Sequence, residues 1–137
     1  MELNAYLVVK NAYADWTRGD LDAFGSHLAP DVDFEVPSST QTRSFLGQGH
    51  GRATLVQRLR AFLESYEVRQ FAITSATPSG DNIHFRVAYD YRSRSTGLDI
   101  QGVQRHFWTV RGNEITSFTV LHDAPRLGAF FELTADD

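Results

Sequence analysis

Residues 103–123 read VQRHFWTVRGNEITSFTVLHD, and the fold turns on how this stretch alternates. The runs on either side of Gly112-Asn113 interleave apolar and polar residues, a strand-like pattern. Gly112-Asn113 supplies residues that tolerate the backbone of a tight turn, so the two strands are expected to be antiparallel neighbours. The first reaches back to Leu98 and the second runs from Glu114 to His122.

Moving upstream, two more strand-like runs cover Arg69 to Thr77 and Ile83 to Arg92. Pro78-Ser79-Gly80-Asp81 and Ser93 to Gly97 separate the runs, and both are turn chemistry. Before them, Leu55, Leu59, Phe62, Leu63 and Tyr66 form a helical stripe within Arg52 to Glu67. Ser38 to Gly51 is polar and glycine-rich, a long loop with room for a short strand at Arg43 to Leu46, and loops of this length often act as lids. Val32, Phe34 and Val36 alternate with Asp31, Asp33 and Glu35, a strand ended by Pro37. At the start, Leu3, Leu7, Val8, Val9, Tyr13 and Trp16 describe an amphipathic helix stopped near Arg18-Gly19. Asp20 is placed to cap a second short helix carrying Leu21, Phe24 and Leu28 and closed by Pro30. The tail, Ala124 to Leu133, reads as a short helix.

This order predicts an α+β domain: about three helices in the N-terminal half packed on a curved antiparallel sheet, all within one domain spanning residues 1–137. With 42% hydrophobic and 22% charged residues the composition is that of a globular chain. A formal charge of -4 argues against phosphate backbones as partners, so no nucleic acid is expected. Arg86, Arg92 and Arg94 read as a solvated edge. There are no cysteines, which excludes disulfides and thiolate metal sites. The five histidines lack paired ligand spacing, and neither a nucleophile elbow nor a phosphate loop is present, so no metal and no cofactor is expected. Met1 to Lys10 lacks the pattern of an export signal and no run is long enough to span a bilayer, which makes a cytoplasmic location the expectation.

Two segments carry a family resemblance. Trp16-Thr17-Arg18-Gly19-Asp20-Leu21-Asp22-Ala23-Phe24, followed by Leu28 to Pro37, and the close His106 to Phe118 followed by Leu121-His122-Asp123 resemble the nuclear transport factor two-like superfamily, in its SnoaL-like and ketosteroid-isomerase-like branch. That resemblance implies a cone-shaped roll of the cystatin-like kind with an apolar pocket between the first helix and the sheet. It also implies a homodimer formed through the outer sheet face. It implies no single reaction, since the superfamily holds isomerases, cyclases, dehydratases, epoxide hydrolases and binders.

Alternation assigns faces to most strands. Val32, Phe34 and Val36 are expected inward, as are Ile83, Phe85, Val87, Tyr89 and Tyr91, leaving His84, Arg86 and Asp90 outside. The strand from Leu98 is ambiguous: Val103, Arg105, Phe107 and Thr109 share one face, Gln104, His106, Trp108 and Val110 the other, and each is about half apolar. Comparison with ketosteroid isomerase implies that Arg105 lies inside, with Phe118, Val120 and His122 on the neighbouring strand and Trp16 facing them. The same comparison puts the isomerase's general base, oxyanion tyrosine and oxyanion acid on Val36, Ala12 and Arg105, none of which can do the original work. Steroid isomerisation is therefore not expected.

The expected ligand wall is Arg105, Trp16, Phe34, Val36, Phe85, Val87, Phe107, Phe118 and Val120. His122 is the candidate acid or base, with Asp123 to orient it and Tyr89 to donate to a ligand oxygen. The SnoaL-like resemblance adds weight to Asp123, which matches a pocket aspartate of cyclases in that group. Asp123-Ala124-Pro125 also reads as the N-cap of the tail helix. An exposed loop histidine, His50, could reach the pocket mouth or be inert. The leading functional expectation is proton transfer of the isomerase, cyclase or dehydratase type on a small apolar or anionic ligand. The alternatives are a ligand binder in which Arg105 anchors a carboxylate, and a domain that serves dimerisation alone.

Overall fold

The computed structural model describes residues 2–36, 47–122 and 124–134. In chain order the elements are α1 (Glu2–Thr17), α2 (Leu21–Gly25), β1 (Leu28–Val36), β2 (Gly47–His50), α3 (Arg52–Ser65), β3 (Tyr66–Ser79), β4 (Asn82–Ser93), β5 (Asp99–Arg111), β6 (Glu114–Leu121) and α4 (Ala124–Leu133). The strands form one sheet in the order β2-β1-β6-β5-β4-β3. The class is α+β as expected, with the difference that β1 runs parallel to β6 while every other pair is antiparallel.

The corner between α1 and α2 follows from Asp15-Trp16-Thr17-Arg18-Gly19-Asp20. Gly19 takes a positive φ of 73° that ends α1, and the Asp20 carboxylate accepts the Ala23 amide at 3.1 Å to cap α2. Asp15 is buried there, and burying a carboxylate is costly unless it is paired. It is paired twice, with Arg18 and with His27 Nε2 at 2.8 Å. The second helix is shorter than its apolar pattern suggests: it ends at Gly25, and Leu28 begins β1. Pro30 lies inside β1 rather than closing a helix. It is tolerated because the β1–β6 register is interrupted between Leu28 and Asp33, where no ladder amide is needed.

The loop expected over Ser38 to Gly51 contributes a strand, β2, which pairs antiparallel with β1 from Asp33↔His50 to Val36↔Gly47. The short strand considered at Arg43 to Leu46 falls outside the described residues. Bulges within β3 and at Thr109/Val110 of β5 bend the sheet around α1. The core lies between them: Ala5, Val9, Ala12, Tyr13 and Trp16 of α1 are buried against the sheet, and Tyr13 meets Phe85 edge-on at 5.1 Å. Leu7, read as part of the apolar stripe, is exposed instead.

Gly49 of β2 sits under a ring. A Cβ there would fall 2.2 Å from Phe34 Cζ and 3.0 Å from Arg58 Nη1. Gly49→Ala is therefore expected to cost about 1–3 kcal/mol in denaturant unfolding through overpacking. The cost should shrink in a Phe34→Ala background; an equal cost there would mean the clash is not with the ring.

Candidate functional site

A cavity of about 110 Å³ opens between the helices and the sheet. α1 contributes Tyr13 and Trp16, α2 Phe24, and β1 Phe34 and Val36. α3 gives Leu55, Arg58, Leu59 and Phe62, and α4 gives Leu127 and Phe131. The sheet supplies Phe71, Tyr91, Gln104, His106, Trp108, Phe118 and Val120. The wall is overwhelmingly aromatic. Phe34, Phe118 and Trp108 run as a row of rings across β1, β6 and β5, with centroids 6.1 Å and 4.5 Å apart. Such surfaces favour flat apolar ligands. The volume falls below the roughly 300–1,000 Å³ of drug-sized sites, which points to a small one.

Four of the polar side chains on this wall join into one chain. Trp108 Nε1 donates to the Tyr13 hydroxyl at 2.8 Å. The Tyr13 hydroxyl lies 2.6 Å from His106 Nδ1, and His106 Nε2 lies 2.9 Å from Gln104 Oε1. An amide oxygen only accepts, so Nε2 carries the ring proton and Nδ1 accepts from Tyr13. The imidazole is thus neutral with both nitrogens engaged. Burial pushes its pKa down to about 3, helped by charge at His122 and His84. Burial likewise pushes the Tyr13 phenol well above its ordinary range, with the Trp108 hydrogen bond working the other way. The chain is buried and uncharged.

Arg58 is the only charged residue lining the cavity among the described residues. Its guanidinium lies over the Phe34 ring at 5.2 Å and donates to the Gln48 carbonyl at 2.9 Å. No group of three or more His, Cys, Asp or Glu side chains among the described residues could hold a metal ion.

The sequence matches the family model described as SnoaL-like domain over residues 9–118. The chain belongs to the SnoaL-like domain family. Solved structures share its fold at low identity. One is an NTF2-like protein of unknown function from Burkholderia pseudomallei, 21% identical, covering 97% of this chain and 98% of that one with a TM-score of 0.85. TerC, co-crystallised with polyporic acid, is 18% identical over 94% of this chain and 98% of its own, with a TM-score of 0.84. A candidate polyketide cyclase from Xanthomonas campestris is 22% identical over 93% and 96%, with a TM-score of 0.76. Among curated proteins the sequence has no significant match.

Within this SnoaL-like domain the residues singled out from sequence fall in different places. Trp16, Phe34, Val36, Phe118 and Val120 line the cavity. Phe85, Val87 and Tyr89 are buried on the inward face of β4 but away from the cavity wall. Tyr89 stacks on Tyr91 at 4.6 Å, and its hydroxyl lies where a Gly102 side chain would begin. Arg105 and Phe107 are a correction: they face outward, because the inward register of β5 is the even-numbered one, Gln104, His106 and Trp108. His122 continues the Phe118 and Val120 parity just past the end of β6, outside the lining set, yet its charge reaches His106. Asp123 lies outside the described residues. Tyr13, Arg58, Gln104, His106 and Trp108 were missed. The signal that could have found them is burial cost, since a face bearing Arg105 is dearer to bury than one bearing Gln104 and His106.

The depressed His106 pKa has a consequence for stability. In the folded chain the ring stays neutral down to about pH 3, whereas an unfolded histidine protonates near its ordinary 6.5. Between these values the unfolded state binds the extra proton, so stability is full above the upper value and falls as pH is lowered towards the lower one. Melting temperatures from pH 7 to pH 4 should drop more steeply for wild type than for His106→Gln. Parallel curves would contradict a buried neutral imidazole.

Proposed function

We propose that this protein is a small-molecule enzyme of the proton-transfer type, an isomerase, cyclase or dehydratase, acting on an apolar ligand held in the aromatic cavity. The observation that supports it is the Trp108–Tyr13–His106–Gln104 chain on an otherwise apolar wall. A phenol and an imidazole share a hydrogen bond where both are buried, and in such a setting a donor aimed at developing charge is worth far more than in solvent. The chain can also pass a proton in a closed cycle. If the Tyr13 hydroxyl turns to a ligand oxygen and gives up its proton there, His106 Nδ1 is freed to take a proton from the ligand, and passing that proton to the phenolate restores the starting state. Trp108 donates to the phenolate meanwhile. That the fold occurs in a candidate polyketide cyclase and in a protein crystallised with polyporic acid agrees with this reading.

The rival is a carrier that binds the same kind of ligand without changing it. One observation favours it: general bases work best with a pKa near the working pH, and His106, held neutral to about pH 3, has no carboxylate on the described wall to raise it. The two readings separate on isotope exchange. A panel of cyclic ketones in deuterated water should take up label with wild type, and Tyr13→Phe should slow this by about 10²–10⁴-fold. Loss confined to His122→Ala would move the chemistry to that residue. No protein-dependent uptake, with polyporic acid or another panel member still bound, would leave the carrier.

We further propose that the outer sheet face pairs with a second copy of the chain. Val103 and Phe107 of β5 and Leu121 of β6 are 44%, 42% and 45% exposed there. Arg86 and Arg105 stand directly opposite each other across β4 and β5, and neither has a carboxylate partner among the described residues. Like charges in that position repel unless anions answer them. Asp31 and Glu35 sit on the same face at β1, so a two-fold arrangement brings acid to base. Sedimentation should show a dimer, a monomer for Arg105→Glu, and recovery in Arg105→Glu with Glu35→Arg. A wild-type monomer would end the proposal.

A further inference from the structure

On the cavity wall one buried polar atom meets no hydrogen-bond partner among the described residues. The protein has two tryptophans, Trp16 and Trp108, and both line the cavity. Trp108 spends its indole N–H on Tyr13. The Trp16 N–H is buried and meets no acceptor among the described residues, although the residue is only 8% exposed. Its ring is surrounded by other rings, Phe24, Phe62 and Phe71, with centroids 6.1 to 6.5 Å away. None of these can accept a conventional hydrogen bond.

A buried donor without a partner costs about 1–3 kcal/mol, and native structures rarely carry one without a use. Packing alone would be served as well by phenylalanine, which brings a flat apolar ring and no donor. An ordered water is a poor solution, since it needs two to four polar partners and the rings around Trp16 offer none. An anion is poorer still, because one neutral N–H does not offset the desolvation of a charge, and the wall's guanidinium, Arg58, is engaged with the Phe34 ring and the Gln48 carbonyl. What suits the position is a neutral acceptor borne by a ligand whose body occupies the aromatic space.

We propose that Trp16 is the specificity-determining donor of the cavity, and that the ligand is an uncharged, flat molecule presenting a carbonyl or ether oxygen to its indole N–H. This rests on the reading of the cavity as a ligand site and narrows its chemistry. Trp16 sorts oxygen-bearing ligands from hydrocarbons of the same shape, a discrimination that the apolar wall cannot make.

The test uses acetophenone and ethylbenzene, which match in shape and differ in the acceptor. In ¹⁵N-labelled protein the indole region holds two signals, assigned with Trp108→Phe. Acetophenone should move the Trp16 indole proton downfield and leave that of Trp108 nearly in place, while ethylbenzene moves neither in that direction. Acetophenone should also bind about fivefold or more tighter than ethylbenzene, and Trp16→Phe should erase that ratio, whatever it does to the affinity for the two compounds together. The spectral arm uses wild-type protein and stands even if Trp16→Phe folds poorly. Binding of both compounds with equal affinity, or acetophenone binding with the Trp16 proton unmoved, would overturn this inference and leave the cavity reading intact. Binding of neither would overturn both.

Discussion

The Tyr13 hydroxyl is the point at which the helical layer and the sheet are joined by something more specific than grease. It takes the Trp108 N–H and meets the His106 ring, so one atom of α1 is held by two residues of β5 that stand one pleat apart. This contact ties α1 to the sheet and orients the imidazole, which burial keeps neutral. Tyr13 also packs edge-on against Phe85 and Trp108. Its position is therefore over-determined, as a side chain needs to be if it is to hold a proton in a defined place.

β5 carries the two faces of the molecule. Its even-numbered residues present the polar chain to the cavity, while its odd-numbered residues, Val103, Arg105 and Phe107, present apolar surface and charge to the outside. A one-residue slip would exchange these roles entirely. The alternation that gives the strand its period thus keeps the hydrogen-bonded chain and the exposed apolar and charged residues on opposite faces. Arg58, reaching the cavity from α3 and lying on Phe34, brings the wall's cation from the helical layer rather than from the sheet.

Most of the fold was legible in the chain. The Gly112-Asn113 hairpin, the Gly19-Asp20 corner and the inward face of β4 all follow from local rules that the structure obeys. The misreadings have physical causes. Leu28 belongs to both a helical and an extended pattern, and tertiary pairing with Ile115 decided for the strand. Gly47 to His50 lacks a strand signal because Gly47 takes a positive φ and Gly49 is there for close approach to Phe34, not for propensity. The site was less legible. On β5 both faces are half apolar, and analogy placed Arg105 inside where the cost of burying a guanidinium argued for the opposite face. Tyr13, one position from Ala12, was absorbed into a helical stripe, since nothing in a single sequence tells a core tyrosine from one whose hydroxyl is engaged.

The central claim is that a neutral imidazole, protonated on Nε2 and hydrogen-bonded to Tyr13 through Nδ1, faces an apolar cavity. Long-range ¹H–¹⁵N correlation spectra of the histidine rings measure this directly. The account predicts that His106 shows one protonated and one bare nitrogen, with Nε2 the protonated one, unchanged from pH 8 down to pH 4. Signals of a doubly protonated ring anywhere in that range, or averaging of both nitrogens as in a solvated histidine, would contradict it.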